Sequence, residues 1–533
     1  MERDLKEIIA QQNNEILLLR QQLETAQSES SAKEAFLSNM SHDIRTPMNA
    51  IVGLTALAQK HIDEKARVAD ALGKIETASL HLLSLINDVL DISRINAGKL
   101  VLAEDSFNLA DLLHDLMVIM KPQAEAKHHI LKLSTENIEQ EYFIGDVLRL
   151  RQIFVNIVSN AIKYTDAGGR ISIHISEKMN GDLCNLIFRC ADNGIGMSED
   201  FLKRIFTPFE RVNNTTISKV EGTGLGMSIV KKMVDAMNGY ISIESKPGEG
   251  TEVTISIPLV SENVQTPDAL RGERILVLEA DKELRSLYQD YLTESGMLYA
   301  FGASGAEALS ALTEAAFTGK RYSAVLIGKQ LLEGGKALDI AAYLHEAYPQ
   351  LSLVLVSDDS WDEIEYQATR AGIRQFIPLP FFRKSLLNGI GKAIRNDNTG
   401  SSPDAFPNLK EKTILLVEDN PINQEIAREI LSMTGAVIET AENGQQAVQC
   451  YEQAAPGTYT VILMDIQMPV MDGYEATRRI RDLGREDSSV VPIYAMTANT
   501  FAEDIAKARD AGMNGHIAKP IDINALMNIL RQL

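Results

Sequence analysis

Cysteine is scarce in this 533-residue chain: Cys184, Cys190 and Cys450 are all it has. Three thiols cannot build a disulfide framework, and their spacing matches no metal-ligand pattern, so reduced core thiols are expected. Basic charge is also short. Lys and Arg number 52 against 73 Asp and Glu, a formal charge of -21, which argues against nonspecific binding to nucleic acid through a basic face. No apolar run approaches the ~18 residues needed to span a bilayer, and no signal peptide opens the sequence. A cytoplasmic protein is expected, or one at the cytoplasmic face of a membrane if a sensor segment lies upstream. What is present, 45% hydrophobic and 23% charged residues, suits a soluble globular protein. The length predicts three or four domains at about 150 residues each.

The chain divides by pattern. Residues 1–30 are polar, with Leu5, Ile9, Ile16, Leu19, Leu23 and Ala26 at heptad a and d positions, which predicts a short parallel coiled coil and hence a dimer. A solvated single helix is the alternative. Residues 31–101 carry two apolar-periodic helices joined by a short loop, a hairpin whose wide apolar stripe predicts a dimeric four-helix bundle. Residues 102–260 mix helix and strand, with a helix over 147–164 and alternating strands at ISIHI, NLIFRC, YISIES and EVTISIP, expected to form an α/β sandwich. An internal repeat follows: ILVLEAD (Ile275 to Asp281) and ILLVEDN (Ile414 to Asn420) stand 139 positions apart. Each opens strands alternating with helices, the sign of a doubly wound, flavodoxin-like parallel sheet. The two copies span 272–395 and 412–533, with a linker over 396–411.

Chemistry concentrates in three places. In FLSNMSHDIRTPMNAIVGL, Phe36, Met40, Ile44, Met48 and Ile51 recur at helical spacing, and His42 lies off that stripe. Pro47 interrupts the helix one turn on. An ordinary surface histidine is the bland reading. The segment resembles the H-box of sensor histidine kinases, F-x-x-x-x-S-H-D/E-x-R-T-P. That resemblance implies that His42 accepts a phosphoryl group, with Asp43 orienting its ring and Thr46 able to orient a water for the reverse, phosphatase reaction.

Two glycine clusters, DNGIGM and GTGLGMS, lie downstream of RQIFVNIVSNAIKYT. Glycines let backbone approach phosphates, yet GTGLG lacks the spacing and leading strand of a dinucleotide fingerprint. Together the trio resembles the N, G1 and G2 boxes of the ATP-binding fold shared by histidine kinases, gyrase, Hsp90 and MutL, and TPFERV resembles the intervening F box. By that resemblance Asn160 ligates Mg2+, while Asn156 and Lys163 reach the phosphates and Asp192 accepts from the adenine amino group. Tyr164, Gly194 and Gly196 complete the ATP site, and Gly222, Thr223, Gly224, Leu225 and Gly226 line its lid.

The last repeat places Glu418 and Asp419 after its first strand, Asp465 after its third, Thr497 after its fourth and Lys519 after its fifth. Open α/β sheets put their sites at these strand ends. The pattern resembles the receiver domain of response regulators and implies an acceptor, Asp465, with Mg2+ held by Glu418, Asp419, Asp465 and Gln467. His516 departs from the aromatic switch residue usual in that family. In the first copy Gly328 stands for Asp465, Leu379 for Lys519 and Ala280 for Asp419, whereas Glu279, Ser357 and Pro380 still match. A degenerate receiver is expected, the alternative being that Asp281 or Asp358 substitutes.

The resemblances together imply a hybrid histidine kinase, a homodimer using ATP and Mg2+, that moves phosphate from ATP to His42 and on to Asp465. A separate histidine-phosphotransfer protein or another response regulator is the expected next acceptor, and the signal is not legible. The rival is a phosphorelay scaffold or net phosphatase with little kinase activity.

Overall fold

The computed structural model describes residues 40, 43–96, 101–136, 138–181, 183–208, 224–264, 270–329, 331, 337–395, 409–497, 507–519, 526–527 and 529–530. The expected coiled coil, His42, Gly222, Thr223 and the TPFERV segment beyond Pro208 lie outside the described residues.

Two helices open the described chain, α1 over 43–60 and α2 over Lys65–Asn96. Between them Glu64 accepts from His61 Nδ1 at 2.8 Å and pairs with Arg67 at 3.1 Å, closing the turn. α1 remains helical through Pro47, whose ring is buried. The expected stripe is corrected at Met48, which is 48% exposed. Its exposure is shared by Val52, Leu57, Leu72, Leu80, Leu83, Ile86 and Leu90, because one hairpin has only one other helix against which to bury two apolar faces.

The next unit is a seven-stranded sheet. Its strands are β1 (Asp105–Asn108), β2 (Ile130–Glu136), β3 (Tyr142–Gly145), β4 (Arg170–Asn180), β5 (Leu183–Asp192), β6 (Tyr240–Lys246) and β7 (Gly250–Ser261), ordered β1-β3-β7-β5-β4-β2 with β6 beside β7. Alternate residues are buried over 171–175 of β4 and 184–190 of β5, so one face of the sheet takes helices α3 (Leu109–Ala126), α4 (Val147–Tyr164) and α6 (Gly226–Ala236), the short α5 (Glu199–Leu202) lying between the last two in sequence. Phe154 of α4 stacks on Phe188 of β5 at 4.2 Å. α4 starts where Asp146 caps it, accepting from Arg149 N–H at 3.0 Å.

Two parallel α/β units follow. The first runs β8 (Arg274–Leu278), α7 (Lys282–Glu294), β9 (Leu298–Gly302), α8 (Gly305–Thr318), β10 (Ala324–Gly328), α9 (Ala337–Ala347), β11 (Ser352–Ser357), α10 (Trp361–Arg370), β12 (Ile373–Pro378) and α11 (Arg383–Arg395), with sheet order β12-β11-β10-β8-β9. The second runs β13 (Thr413–Val417), α12 (Pro421–Ser432), β14 (Val437–Ala441), α13 (Gly444–Gln453), β15 (Tyr459–Asp465), α14 (Gly473–Arg481), β16 (Ile493–Thr497) and β17 (Gly515–Ala518), ordered β14-β13-β15-β16-β17. Central strands such as AVLIG of β10 are buried on both faces, as helices on both sides of a parallel sheet require.

The first α/β unit is docked on the seven-stranded unit. Glu141, 2% exposed, accepts from the N–H groups of Lys384 and Ser385 (2.7 Å for Ser385) and from Ser385 Oγ at 2.7 Å, so a carboxylate of one unit caps helix α11 of the other. His114 Nδ1 donates to Leu379 O at 3.1 Å, Asn108 Nδ2 to Ser385 Oγ at 2.9 Å, and Lys121 pairs with Asp358. Phe382 sits in the apolar core of the seven-stranded unit. Among the described residues no helix is long and apolar enough to cross a membrane.

Candidate functional site

A cavity of about 220 Å³ opens beside α4, between the ends of β5 and β7 and the start of α6. Asn156, Asn160 and Lys163 reach it from α4, because residues four apart share a face, and Tyr164, Asp192, Gly196, Gly224 and Gly226 also line it. The remaining wall is apolar: Ile157, Ala161, Ile195, Met197, Ile243 and Val253. Asp192 ends β5, where its carboxylate accepts from Gly194 N–H at 2.8 Å. Burial pushes that carboxyl above its ordinary range, partly opposed by N–H groups of Gly194 and Thr251. A carboxylate at the end of an apolar slot is a single directional acceptor, the arrangement that selects a ring amino group. Burial and the Asp192 charge push the neighbouring Cys190 thiol up to about 12, so it is inert.

The glycines are needed here. Gly196 has φ +63°, and a Cβ there would stand 1.9 Å from Lys246 O. A Cβ on Gly226 would stand 3.0 Å from Asn156 Oδ1. Two expectations are adjusted. Leu225 does not line the cavity: it is fully buried in the core and its carbonyl accepts from Ile229 N–H, opening α6. Gly194 acts on the cavity through Asp192 rather than lining it. The apolar wall is not marked as a site in the sequence, although the alternation of β6 and β7, which supply Ile243 and Val253, is. On the hairpin, Asp43 is half-buried and Thr46 exposed, on the first described turns of α1.

The second cluster lies at the strand ends of the last unit. Asp465 (5% exposed) ends β15, and Glu418 (2%) and Asp419 follow β13. One oxygen from each of the three lies within 4.8 Å of the others. Lys519 Nζ bridges Glu418 Oε2 at 2.5 Å and Asp465 Oδ2 at 2.6 Å, and its own N–H donates to Thr497 O at 2.7 Å. Gln467 approaches through its backbone, its N–H donating to Asp465 Oδ1 at 3.3 Å. Burial pushes the Asp465 carboxyl up; Lys519 pulls it down and Glu418 adds to the rise. Three carboxylates against one ammonium leave a net negative oxygen cluster, the donor set of a hard divalent ion.

The equivalent corner of the first α/β unit is built differently. A Cβ on Gly328 would stand 2.4 Å from Glu279 Oε2, so Glu279 fills the space an acceptor side chain would need. Asp281 is occupied as the N-cap of α7, accepting from Glu283 N–H at 2.7 Å. Asp358, raised by burial, is brought down to about 2 by Lys121 and Lys329, which hold it as a carboxylate. Among the described residues no cluster like Glu418–Asp419–Asp465 forms there.

Three family models match the chain. They are the His Kinase A (phospho-acceptor) domain over residues 32–98, the histidine kinase-, DNA gyrase B- and HSP90-like ATPase over 145–261, and the response regulator receiver domain over 414–531. The chain is 33% identical to the sensor protein GacS of Pseudomonas syringae pv. syringae over 532 residues, covering 98% of this chain and 58% of that protein. It is 30% identical to the signal transduction histidine-protein kinase BarA of Escherichia coli K12 over 546 residues, covering 99% and 56%. It therefore spans little more than half the length of these relatives. Among solved structures, full-length ShkA in complex with AMPPNP aligns with TM-score 0.40 and 25% identity, over 94% of this chain and 99% of that one.

Proposed function

Because this chain belongs with the hybrid sensor histidine kinases, carrying their phosphoacceptor, ATPase and receiver domains, we propose that it phosphorylates its own His42 from ATP and passes the phosphoryl group to Asp465. The observation that carries this reading is the coexistence, in one chain, of the Asn160–Asp192 cavity and the buried Asp465–Lys519 cluster.

Asp192 accepts from the adenine amino group, and Asn156 and Lys163 hold the phosphates. The amide oxygen of Asn160 is a ligand for Mg2+, which when bound neutralises phosphate charge. Asp43 orients His42, whose free ring nitrogen bonds to the γ-phosphorus as the bond to the β,γ-bridging oxygen breaks and ADP leaves. An oxygen of Asp465 then bonds to phosphorus as the N–P bond breaks and the imidazole takes up a proton. Glu418, Asp419, Asp465 and the backbone of Gln467 are the ligands for Mg2+ there, and Lys519 moves from carboxylate to phosphoryl oxygen, with Thr497 beside it. Thr46 orients water for the phosphatase direction. The first α/β unit is a degenerate receiver with a docking role. The exposed apolar face of the hairpin is covered by a second copy, and a separate histidine-phosphotransfer protein takes the group from Asp465.

The 533-residue chain is incubated with γ-labelled ATP and Mg2+. Acid-labile label is expected on His42 in Asp465→Asn and absent in His42→Gln, and the wild type carries hydroxylamine-sensitive label. Label persisting in His42→Gln sinks the assignment; no label in Asp465→Asn favours the scaffold reading.

A further inference from the structure

Helix α4, which carries the nucleotide side chains, is held at its N-terminal end by the hairpin. Asp91 of α2, 3% exposed, accepts from Arg149 Nη1 at 2.8 Å and from Gln152 Nε2 at 3.0 Å. The segment after α2 grips the same end: Ala103 N–H donates to Asp146 Oδ2 at 3.1 Å, while Asp146 Oδ1 caps α4. Met40, Ile44 and Val89 of the hairpin pack into the apolar core of the ATPase unit, so the ion pair belongs to a dry contact. Desolvation offsets most of the attraction within such a pair, so its contribution is alignment: few placements of α2 satisfy both charges. From Gln152 the path runs on to the nucleotide cavity. Its carbonyl accepts from Asn156 Nδ2 at 3.0 Å, and Asn156 Oδ1 lies against Gly226 at the start of α6.

We propose that Asp91 is a positioning residue for phosphotransfer: it fixes the ATP-binding helix against the phosphoacceptor hairpin and so sets how bound nucleotide meets the histidine. The assignment rests on the kinase reading above. Asp91 touches neither nucleotide nor histidine; it acts through Arg149 and Gln152, which fix the orientation of α4 against α2. Rate, not nucleotide affinity, is what it controls.

The test uses the full chain. Initial rates of acid-labile phosphorylation at saturating Mg-ATP are compared with the Kd for ATP from calorimetry, for wild type, Asp91→Ala, and the exchange of Asp91→Arg with Arg149→Asp. In Asp91→Ala the rate is expected to fall at least tenfold while Kd moves less than twofold; the exchanged pair recovers to within threefold of wild type. An unchanged or faster rate in Asp91→Ala overturns the proposal, as does a joint loss of rate and affinity with no recovery in the exchanged pair. If Asp91→Ala does not fold, the exchanged pair, which retains both charges, tests the same contact. Amide hydrogen exchange over residues 149–160 without nucleotide separates the two readings. It should quicken at least fivefold in Asp91→Ala and return in the exchanged pair. Exchange that responds while wild type takes no label sinks the kinase reading and leaves the coupling; label without any response of rate or exchange sinks Asp91.

Discussion

The proposed chemistry rests on two carboxyl groups and one lysine. Asp192 and Asp465 are both pushed above the usual carboxylate range by desolvation, and Lys519 is drawn onto two carboxylates at 2.5 and 2.6 Å. For Asp465 the sign is clear. The folded carboxyl lies above 3.8, so its protonated form is favoured in the fold; that contribution is present below 3.8 and lost as pH rises through the raised value. Only the carboxylate holds a cation, so Mg2+ affinity should fall as pH drops toward that value, measurable by calorimetry between about pH 7 and pH 4.5. Lys519→Met should tighten Mg2+ several-fold, since the cation no longer competes with an ammonium, while transfer to Asp465 is lost. Asp192→Asn should weaken ATP at least tenfold, about 1.4 kcal/mol, because the amide offers the ring amino group a weaker, uncharged acceptor. An ATP titration that does not shift would remove Asp192 from the site.

At the scale of the element, α4 and the turn after β5 decide which side chains line the cavity. α4 begins at the Asp146 cap and presents residues four apart to the cavity. Asp146→Ala should cost about 1–2 kcal/mol in chemical denaturation, from the lost cap and the lost contact to Ala103. The turn tolerates no side chain at Gly196, where φ is +63° and a Cβ would meet Lys246 O at 1.9 Å. Gly196→Ala should lower stability by about 2 kcal/mol or more and weaken ATP with it, read from a denaturant melt and the same titration. Leu225 is a useful contrast, since it stands inside a glycine motif yet serves the core. Motif membership says which segment meets a ligand, and the phase of the helix start decides which side chain does.

At the scale of the whole molecule the units are joined by buried polar contacts rather than by apolar area alone. Glu141 caps α11 of the neighbouring unit from a site 2% exposed. Replacing it with Ala leaves the N–H groups of Lys384 and Ser385 without their acceptor, at a cost of about 1–3 kcal/mol. Faster hydrogen exchange at the start of α11, with the 412–533 unit unaffected, is the expected result; equal exchange in both proteins would mean that the docking does not depend on Glu141. The positions that dock are informative. Leu379 and Asp358 follow β12 and β11, the counterparts of the strands that end before Lys519 and at Thr497 in the other copy, and here they contact His114 and Lys121.

The sequence by itself determined the order and kind of the elements that periodicity marks strongly: the 147–164 helix, the alternating strands β4 to β7, and two repeats whose strands end in or lack carboxylates. Short-range physics suffices for these, because helical and strand spacing and turn chemistry are properties of neighbouring residues. It also placed Asn156, Asn160 and Asp192 in one motif set and Glu418, Asp419, Asp465 and Lys519 in another. The helix Leu109–Ala126 and the strands β1 to β3 are not marked in the sequence; β1 and β3 are four residues each, too short for alternation to show. Only the tertiary structure decided that Leu225 turns inward, that Met48 is exposed on a single hairpin, that Glu279 fills the space beside Gly328, and that Asp91 and Glu141 join separate units. Each of these depends on desolvation or on a partner tens to hundreds of residues away, quantities that no local pattern encodes.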